Sequence, residues 1–249
     1  MTGTRETIGT TPTATASARA IVGPIRAAAT EKVASMIDGP DVSARALIRC
    51  AEGLESASPG LATRAIDLVA FVRTLANTPA TAPYLSHPFR VARYLLESAS
   101  FAPHLTRSTL LGVGILHNAF EVFDLDERAL ESRAGFSERE AKFVRLLTID
   151  RAKERDLPYL TAFHGAIEEA GIALVRCMDK LDNLLGLELL AHGDVRDSYV
   201  DLADRFVRPL AERVDPGLGE VFAETVRFCL ETPCDPVMLA EYERATGKP

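Results

Sequence analysis

Imidazole is the commonest borderline metal ligand and a proton carrier near neutral pH. The sequence has five histidines: His87, His104, His117, His164 and His192. His117 has the most informative surroundings, Leu111-Gly-Val-Gly-Ile-Leu-His117-Asn118-Ala-Phe-Glu121-Val122. The run is apolar up to the histidine and polar on one face after it. Asn118 is adjacent, and Glu121 lies four residues from His117 and three from Asn118, which on a continuous helix puts them on one side. An imidazole, an amide and a carboxylate within an apolar helix require polar partners from elsewhere in the chain.

The best candidate for that partner is Ala173-Leu-Val-Arg-Cys-Met-Asp179-Lys180-Leu-Asp182-Asn183-Leu-Leu-Gly-Leu187. It is again an apolar helix interrupted by polar residues, with Asp179, Asp182 and Asn183 at i, i+3 and i+4 on one face. A carboxylate from it would complete a metal site with His117. A third segment, Tyr84-Leu-Ser-His87-Pro-Phe-Arg90-Val-Ala-Arg93, places His87 at a helix start, where Ser86 suits the cap and Pro88 the first turn. Taken singly, each residue has a plain alternative. A histidine on an apolar helix is often just a satisfied core residue, and Asp179 beside Lys180 or Glu121 alone would pass as ordinary helix charges. Together, in this order, they favour a site.

Their order and flanks resemble the HD superfamily, in particular the hydrolase domain of the bacterial stringent-response (p)ppGpp enzymes and their small stand-alone relatives. Tyr84-Leu-Ser-His87-Pro88 is similar to that family's Tyr-Ile-x-His-Pro segment. Ile115-Leu-His117-Asn118-Ala-Phe-Glu121-Val122 is similar to its Leu-Leu-His-Asp…Glu-Asp helix, and Arg176-Cys-Met-Asp179-Lys-Leu-Asp-Asn183 to its Lys-Leu-Ala-Asp-x-x-x-Asn helix. The resemblance covers roughly residues 61–190. It implies an all-α HD-domain helical bundle, here with extra flanking helices, and one divalent ion, typically Mn²⁺. The implied ligands are His87, His117 and Asp179, with Asn118 where the family has a second Asp. Of the family's water-orienting Glu-Asp pair it retains Glu121, the candidate base, while Val122 replaces the partner. Asn183 matches the residue that contacts the substrate's sugar-phosphate end. The family's guanine-contacting residues have no counterpart in Ala76–Ala82.

The two departures have predictable effects. An amide oxygen still coordinates a hard cation, but Asn118 removes one negative charge, which weakens binding and leaves the ion more electropositive. Val122 removes a possible general base, a kind of group that contributes ~10²–10⁴-fold in rate. Both changes point away from efficient alarmone hydrolysis by the family's usual route. The expected activity is metal-dependent hydrolysis of a nucleotide or other small phosphorylated molecule, with Asn183, Arg90 and Lys180 as candidate phosphate contacts. The competing expectation is a catalytically degenerate HD-fold protein that binds ligands or partners. A two-iron redox variant needs further histidines between the His117 pair and Asp179, and only His164 lies there.

Composition sets the frame for these elements. The chain has 249 residues, 47% hydrophobic and 25% charged, with a formal net charge of -7. That length supports a sizeable core. The acidic balance argues against general nucleic-acid binding, which needs a basic surface. Cys50, Cys177, Cys229 and Cys234 form no CxxC pair, so reduced thiols and a cytoplasmic location are expected. The most apolar stretch, Leu110–Phe123, is too short for a membrane span and carries His117, Asn118 and Glu121. Residues 1–20 read as a disordered tail and 21–249 as a single helical domain. Periodicity and stop signals place helices over 25–37, 42–57, 61–77, 87–98, 106–122, 126–134, 137–150, 158–170, 172–191, 194–214, 218–231 and 236–245. The helix over 137–150 opens on a capping box, Ser137 with Glu140. No segment reads as a strand.

Overall fold

The computed structural model describes residues 25–76, 82–123, 125–187 and 193–246. The expected N-terminal tail over 1–20 and His192 lie outside these residues. Among the described residues every regular element is helical, as the 3.6-residue periodicity and absence of alternating runs require.

Three helices come first: α1 (Ile25–Ile37), α2 (Pro40–Gly53) and α3 (Leu61–Leu75). A 3₁₀ turn over Ala82–Leu85 then leads into α4 (Ser86–Glu97). Next come α5 (Arg107–Leu116), the one-turn α6 (Ala119–Val122), α7 (Glu127–Ala134) and α8 (Glu138–Leu147). α9 (Leu157–Gly165) and α10 (Ala170–Leu184) follow, then α11 (Asp194–Leu202), α12 (Arg208–Val214), α13 (Pro216–Glu231) and α14 (Pro236–Thr246). The capping box at Ser137 forms in full, with Glu140 reaching back to the Ser137 N–H. Thr106 and Asp126 cap α5 and α7 through their side-chain oxygens.

Two elements expected to be continuous are broken, each for a local reason. The helix expected over 106–122 stops at Leu116 and restarts at Ala119. Gly112 and Gly114 weaken its last turns, and the Gly114 carbonyl, one of the helix's terminal acceptors, lies 2.7 Å from the His117 Nδ1. The ring thus occupies an acceptor that a further turn would use. The helix expected over 194–214 contains Pro209, which has no N–H and collides with a regular preceding turn. The chain passes through a π-helical turn over Ala203–Val207 just before it, and α12 then starts with the proline in its first turn. α10 ends at Leu184, short of the expected 191, and the residues beyond 187 in that span are outside those described.

A single contiguous core joins residues from Ala28 to Cys229. At its centre α4 packs on α5, on α2 and on α10, and α10 also meets α5, α8 and α12. The helices that carry His87, His117 and Asp179 therefore touch one another directly. α4 and α5 approach closely because position 114 has no side chain: a Cβ there would come within 2.5 Å of Leu95 Cδ1 and 3.1 Å of the Ala92 Cα. α1 closes one side of the bundle, packing on α2, α13 and α14. No described helix is long and apolar enough to cross a membrane. All four cysteines are free thiols.

Candidate metal centre

His87 enters from the first turn of α4, His117 from the residue that ends α5, and Asp179 from the middle of α10. His117 and Asp179 are buried and His87 nearly so. Their tips converge. His87 Nε2 lies 3.2 Å from His117 Nε2 and 3.3 Å from Asp179 Oδ1, and His117 Nε2 lies 3.6 Å from the same oxygen. Ligand atoms ~2.0–2.2 Å from a shared ion sit roughly 2.8–3.6 Å apart in tetrahedral or octahedral arrangements. All three separations fall in that range, so the group has the spacing to hold a metal ion.

The opposite side of each ring is fixed. His117 Nδ1 donates to the Gly114 carbonyl and His87 Nδ1 to Asp182 Oδ2, both at 2.7 Å. A donor at Nδ1 leaves a lone pair at Nε2, and in both rings that lone pair faces the other ring and Asp179. Carbonyl or carboxylate support behind a ligating imidazole fixes the ring and its tautomer in just this way. Facing lone pairs are satisfied either by a shared cation or by a proton on His87 Nε2, which the neighbouring carboxylates favour.

Asp179 divides its oxygens between two environments. Oδ1 faces the histidines and accepts from Asn183 Nδ2 at 3.2 Å. Oδ2 takes Arg176 Nη1 at 3.0 Å and Lys180 Nζ at 3.2 Å. Burial alone would raise the Asp179 pKa, but Lys180 and then the two imidazoles more than offset it, so the carboxyl stays well below its ordinary range and ionised. Burial likewise opposes charge on His87, and the Asp179 and Asp182 carboxylates outweigh it to raise that pKa. Lys180 is depressed to about 8, by desolvation first and then by Arg176.

Behind His87 lies a second cluster. Asp182, fully buried, accepts from Arg90 Nε at 2.7 Å and Nη2 at 3.0 Å as well as from His87. Lys32 reaches it from α1: its Nζ donates to the Asp182 backbone carbonyl and lies 3.6 Å from Oδ2. Arg90 Nη1 donates to Ser35 at 2.9 Å. The structure thus places Arg90 in this buried layer, with each of its three nitrogens engaged, rather than beside a phosphate.

Asn118 occupies the N-cap position of α6 without a side-chain cap bond, and its amide lies beside the Tyr84 hydroxyl. Tyr84 stands over the site, its ring 5.6 Å from that of His87 and 6.1 Å from that of Phe123. Glu121 follows the break after His117. Its side chain is 5% exposed, with Oε1 accepting from the Ile149 N–H at 2.8 Å and Oε2 paired with Arg151 at 2.5 Å. It therefore ties α6 to the loop after α8. His164 is separate from the cluster. Its Nδ1 bonds the Leu160 carbonyl at 2.8 Å and its Nε2 faces Arg176 Nε at 3.4 Å. A guanidinium against that nitrogen blocks it as a ligand.

Asp182, Tyr84 and Arg176 were not among the site residues chosen from the sequence. Asp182 was visible on the Asp179 face, but its link to His87 spans 95 positions and has no local signature. Tyr84 had only its place in the quoted segment, and Arg176 only its position three before Asp179. The fold and site define an all-α protein with a buried two-histidine, one-aspartate group able to hold a cation. Comparison of the chain with family models, curated proteins and solved structures returns no match, so its chemistry is read from this geometry.

Proposed function

We propose that the chain is a divalent-metal-dependent phosphohydrolase of HD type, acting on a nucleotide or other small phosphorylated molecule, with Mn²⁺ as the preferred ion. The observation that carries the reading is the convergence of His87 Nε2, His117 Nε2 and Asp179 Oδ1, each ring held from behind at Nδ1. The order of the three ligand-bearing segments, as it resembles the (p)ppGpp hydrolases, supports it.

A bound divalent cation supplies Lewis acidity toward a phosphoryl oxygen and lowers the pKa of a coordinated water. The protein's own residues do the rest. His87, His117 and Asp179 hold the ion, and Asn118, adjacent to His117, offers a neutral oxygen as a fourth donor. Tyr84, beside the Asn118 side chain and 5.6 Å from the His87 ring, covers the site. Lys180, part-exposed beside Asp179, carries positive charge toward a substrate phosphate. Asn183 holds Asp179 Oδ1, and exchanging that bond for one to substrate is its route to the phosphate. Glu121 serves as base only when its carboxylate leaves Ile149 and Arg151, so movement of the 149–151 loop is part of the reading.

That engagement of Glu121 also favours a second reading, a catalytically degenerate HD-fold protein that binds ligands or partners. Metal analysis and a Mn²⁺-supplemented screen of phosphorylated nucleotides, ppGpp included, separate the two. The hydrolase reading expects stoichiometric metal, lost in His117→Ala, and turnover lost with it. Metal without turnover on any phosphorylated substrate favours the degenerate protein, and absence of metal binding overturns the hydrolase. Asn118→Asp restores one negative charge and is expected to tighten metal binding about tenfold or more.

A further inference from the structure

A cleft of about 440 Å³ opens on the far side of Asp179 from the histidines. It lies between the 149–157 loop, α10 and α11, and its wall includes Arg151, Arg155, Arg176, Lys180, Tyr199 and Phe206. Four cations thus meet two acids there, Glu154 and Asp201. The acids are already taken, Glu154 by Arg151 at 3.4 Å and Asp201 by Arg205 at 2.6 Å. Arg176 and Lys180 share one oxygen, Asp179 Oδ2, and Arg155 makes no ion pair with any described residue. With Arg151 held by Glu121 and Glu154, Arg155 is the cation on this wall that no described acid pairs.

One donor is left over. Arg176 is only 3% exposed, its Nε faces His164 and its Nη1 bonds Asp179, while Nη2 is buried with no hydrogen-bond partner. A buried, unpaired guanidinium nitrogen is costly and calls for a partner that the protein does not supply. Apolar side chains share the cleft wall with the cations. Leu157, Val195 and Tyr199 are exposed by 47%, 53% and 38%, and all three line this cleft. Exposed apolar side chains gathered at a concave site mark a binding surface.

We propose that this cleft is an oxyanion-binding site for a small amphipathic molecule, whose phosphate or carboxylate meets Arg176, Lys180 and Arg155 and whose apolar part lies on Tyr199 and Val195. It lies beside Asp179 Oδ2, the oxygen turned away from the histidines, and does not need a metal to form; it shares Lys180 with the hydrolase reading, and binding by metal-free protein tells the two apart. The test is calorimetric titration of EDTA-treated protein with inorganic phosphate, pyrophosphate and malonate. Saturable binding of at least one probe is expected, weakened about tenfold or more in Arg155→Ala and in Lys180→Met, and unchanged in Lys142→Met, an exposed cation of α8 outside the cleft. Preference for pyrophosphate assigns the head group as phosphate, and preference for malonate as carboxylate. No saturable binding of any probe at millimolar concentration, or equal affinity in Arg155→Ala, Lys180→Met and the parent, overturns the proposal.

Discussion

At the scale of the residue, Asp182 bears the largest load that no motif announced. Its carboxylate meets an imidazole, a guanidinium and an ammonium in a fully buried position. Burial would raise its pKa, but Arg90, then Lys32 and His87, hold it well below the ordinary range. Asp182→Asn keeps the shape and removes the charge, stranding Arg90 and Lys32 without a counter-ion. The expected cost is about 3–5 kcal/mol in urea unfolding, because breaking one side of a buried ionic network leaves the other uncompensated. Its metal affinity should fall as well, since His87 loses its fixed tautomer.

His164 gives a residue-scale prediction in pH. Burial, then the Arg176 charge, lowers its pKa to about 4. Stacking on Phe206, with ring centroids 5.3 Å apart, adds to the enclosure. The unfolded chain takes up a proton near pH 6.5 and the folded chain only near 4. Between those values the unfolded state binds more protons, so stability is full above pH 6.5 and falls as pH drops toward 4. The loss through this residue is on the order of 3 kcal/mol at pH 4. Urea midpoints measured from pH 7 to 4 should show it, with a visibly flatter curve for His164→Phe.

At the scale of the element, the contact of α4 with α5 sets the distance between the two histidines. Gly114 makes that contact possible and also supplies the carbonyl that orients His117. Gly114→Ala forces a methyl group toward Leu95, which can turn aside, and toward the Ala92 backbone, which cannot. The expected result is about 1–3 kcal/mol of destabilisation together with weaker metal binding, read by unfolding and calorimetry on one sample. A stability loss with metal affinity untouched would show that this contact does not set the ligand spacing. The helices themselves were legible in the sequence. The capping box at Ser137 and the period of α10 rest on interactions within a few residues, whereas the helix expected over 42–57 ends at Gly53. The break at His117 was not legible, since 106–122 is periodic throughout and the interruption comes from a side chain bonding the helix's own carbonyl.

At the scale of the whole molecule, the candidate centre joins three helices drawn from positions 87, 117 and 179, and Lys32 adds a fourth from α1. A ligand seated there stabilises the fold as a unit. Mn²⁺ at about a hundred times its Kd should add ~2.7 kcal/mol, equivalent to roughly 5–10 °C in Tm for a chain of this size. The shift should grow with concentration, vanish on chelation and be absent in His117→Ala. An unchanged Tm across Mn, Fe, Co and Zn would sink the metal assignment.

The sequence by itself determined the helical class, the capping box at Ser137 and the pairing in kind of His87, His117 and Asp179; the cap expected at Ser86 does not form, because Ser86 is the first residue of α4 itself. Those properties follow from periodicity, turn chemistry and the demand that polar groups in apolar helices find partners. Only the tertiary structure decided which atoms face which. That Nε2 rather than Nδ1 points inward, that Arg90 serves Asp182, that Glu121 grips Ile149 and Arg151, and that Asp179 stands between a histidine pair and a cationic cleft all depend on contacts across as many as 95 positions. Periodicity assigns a residue to a face; the packing of one helix on another decides what that face meets.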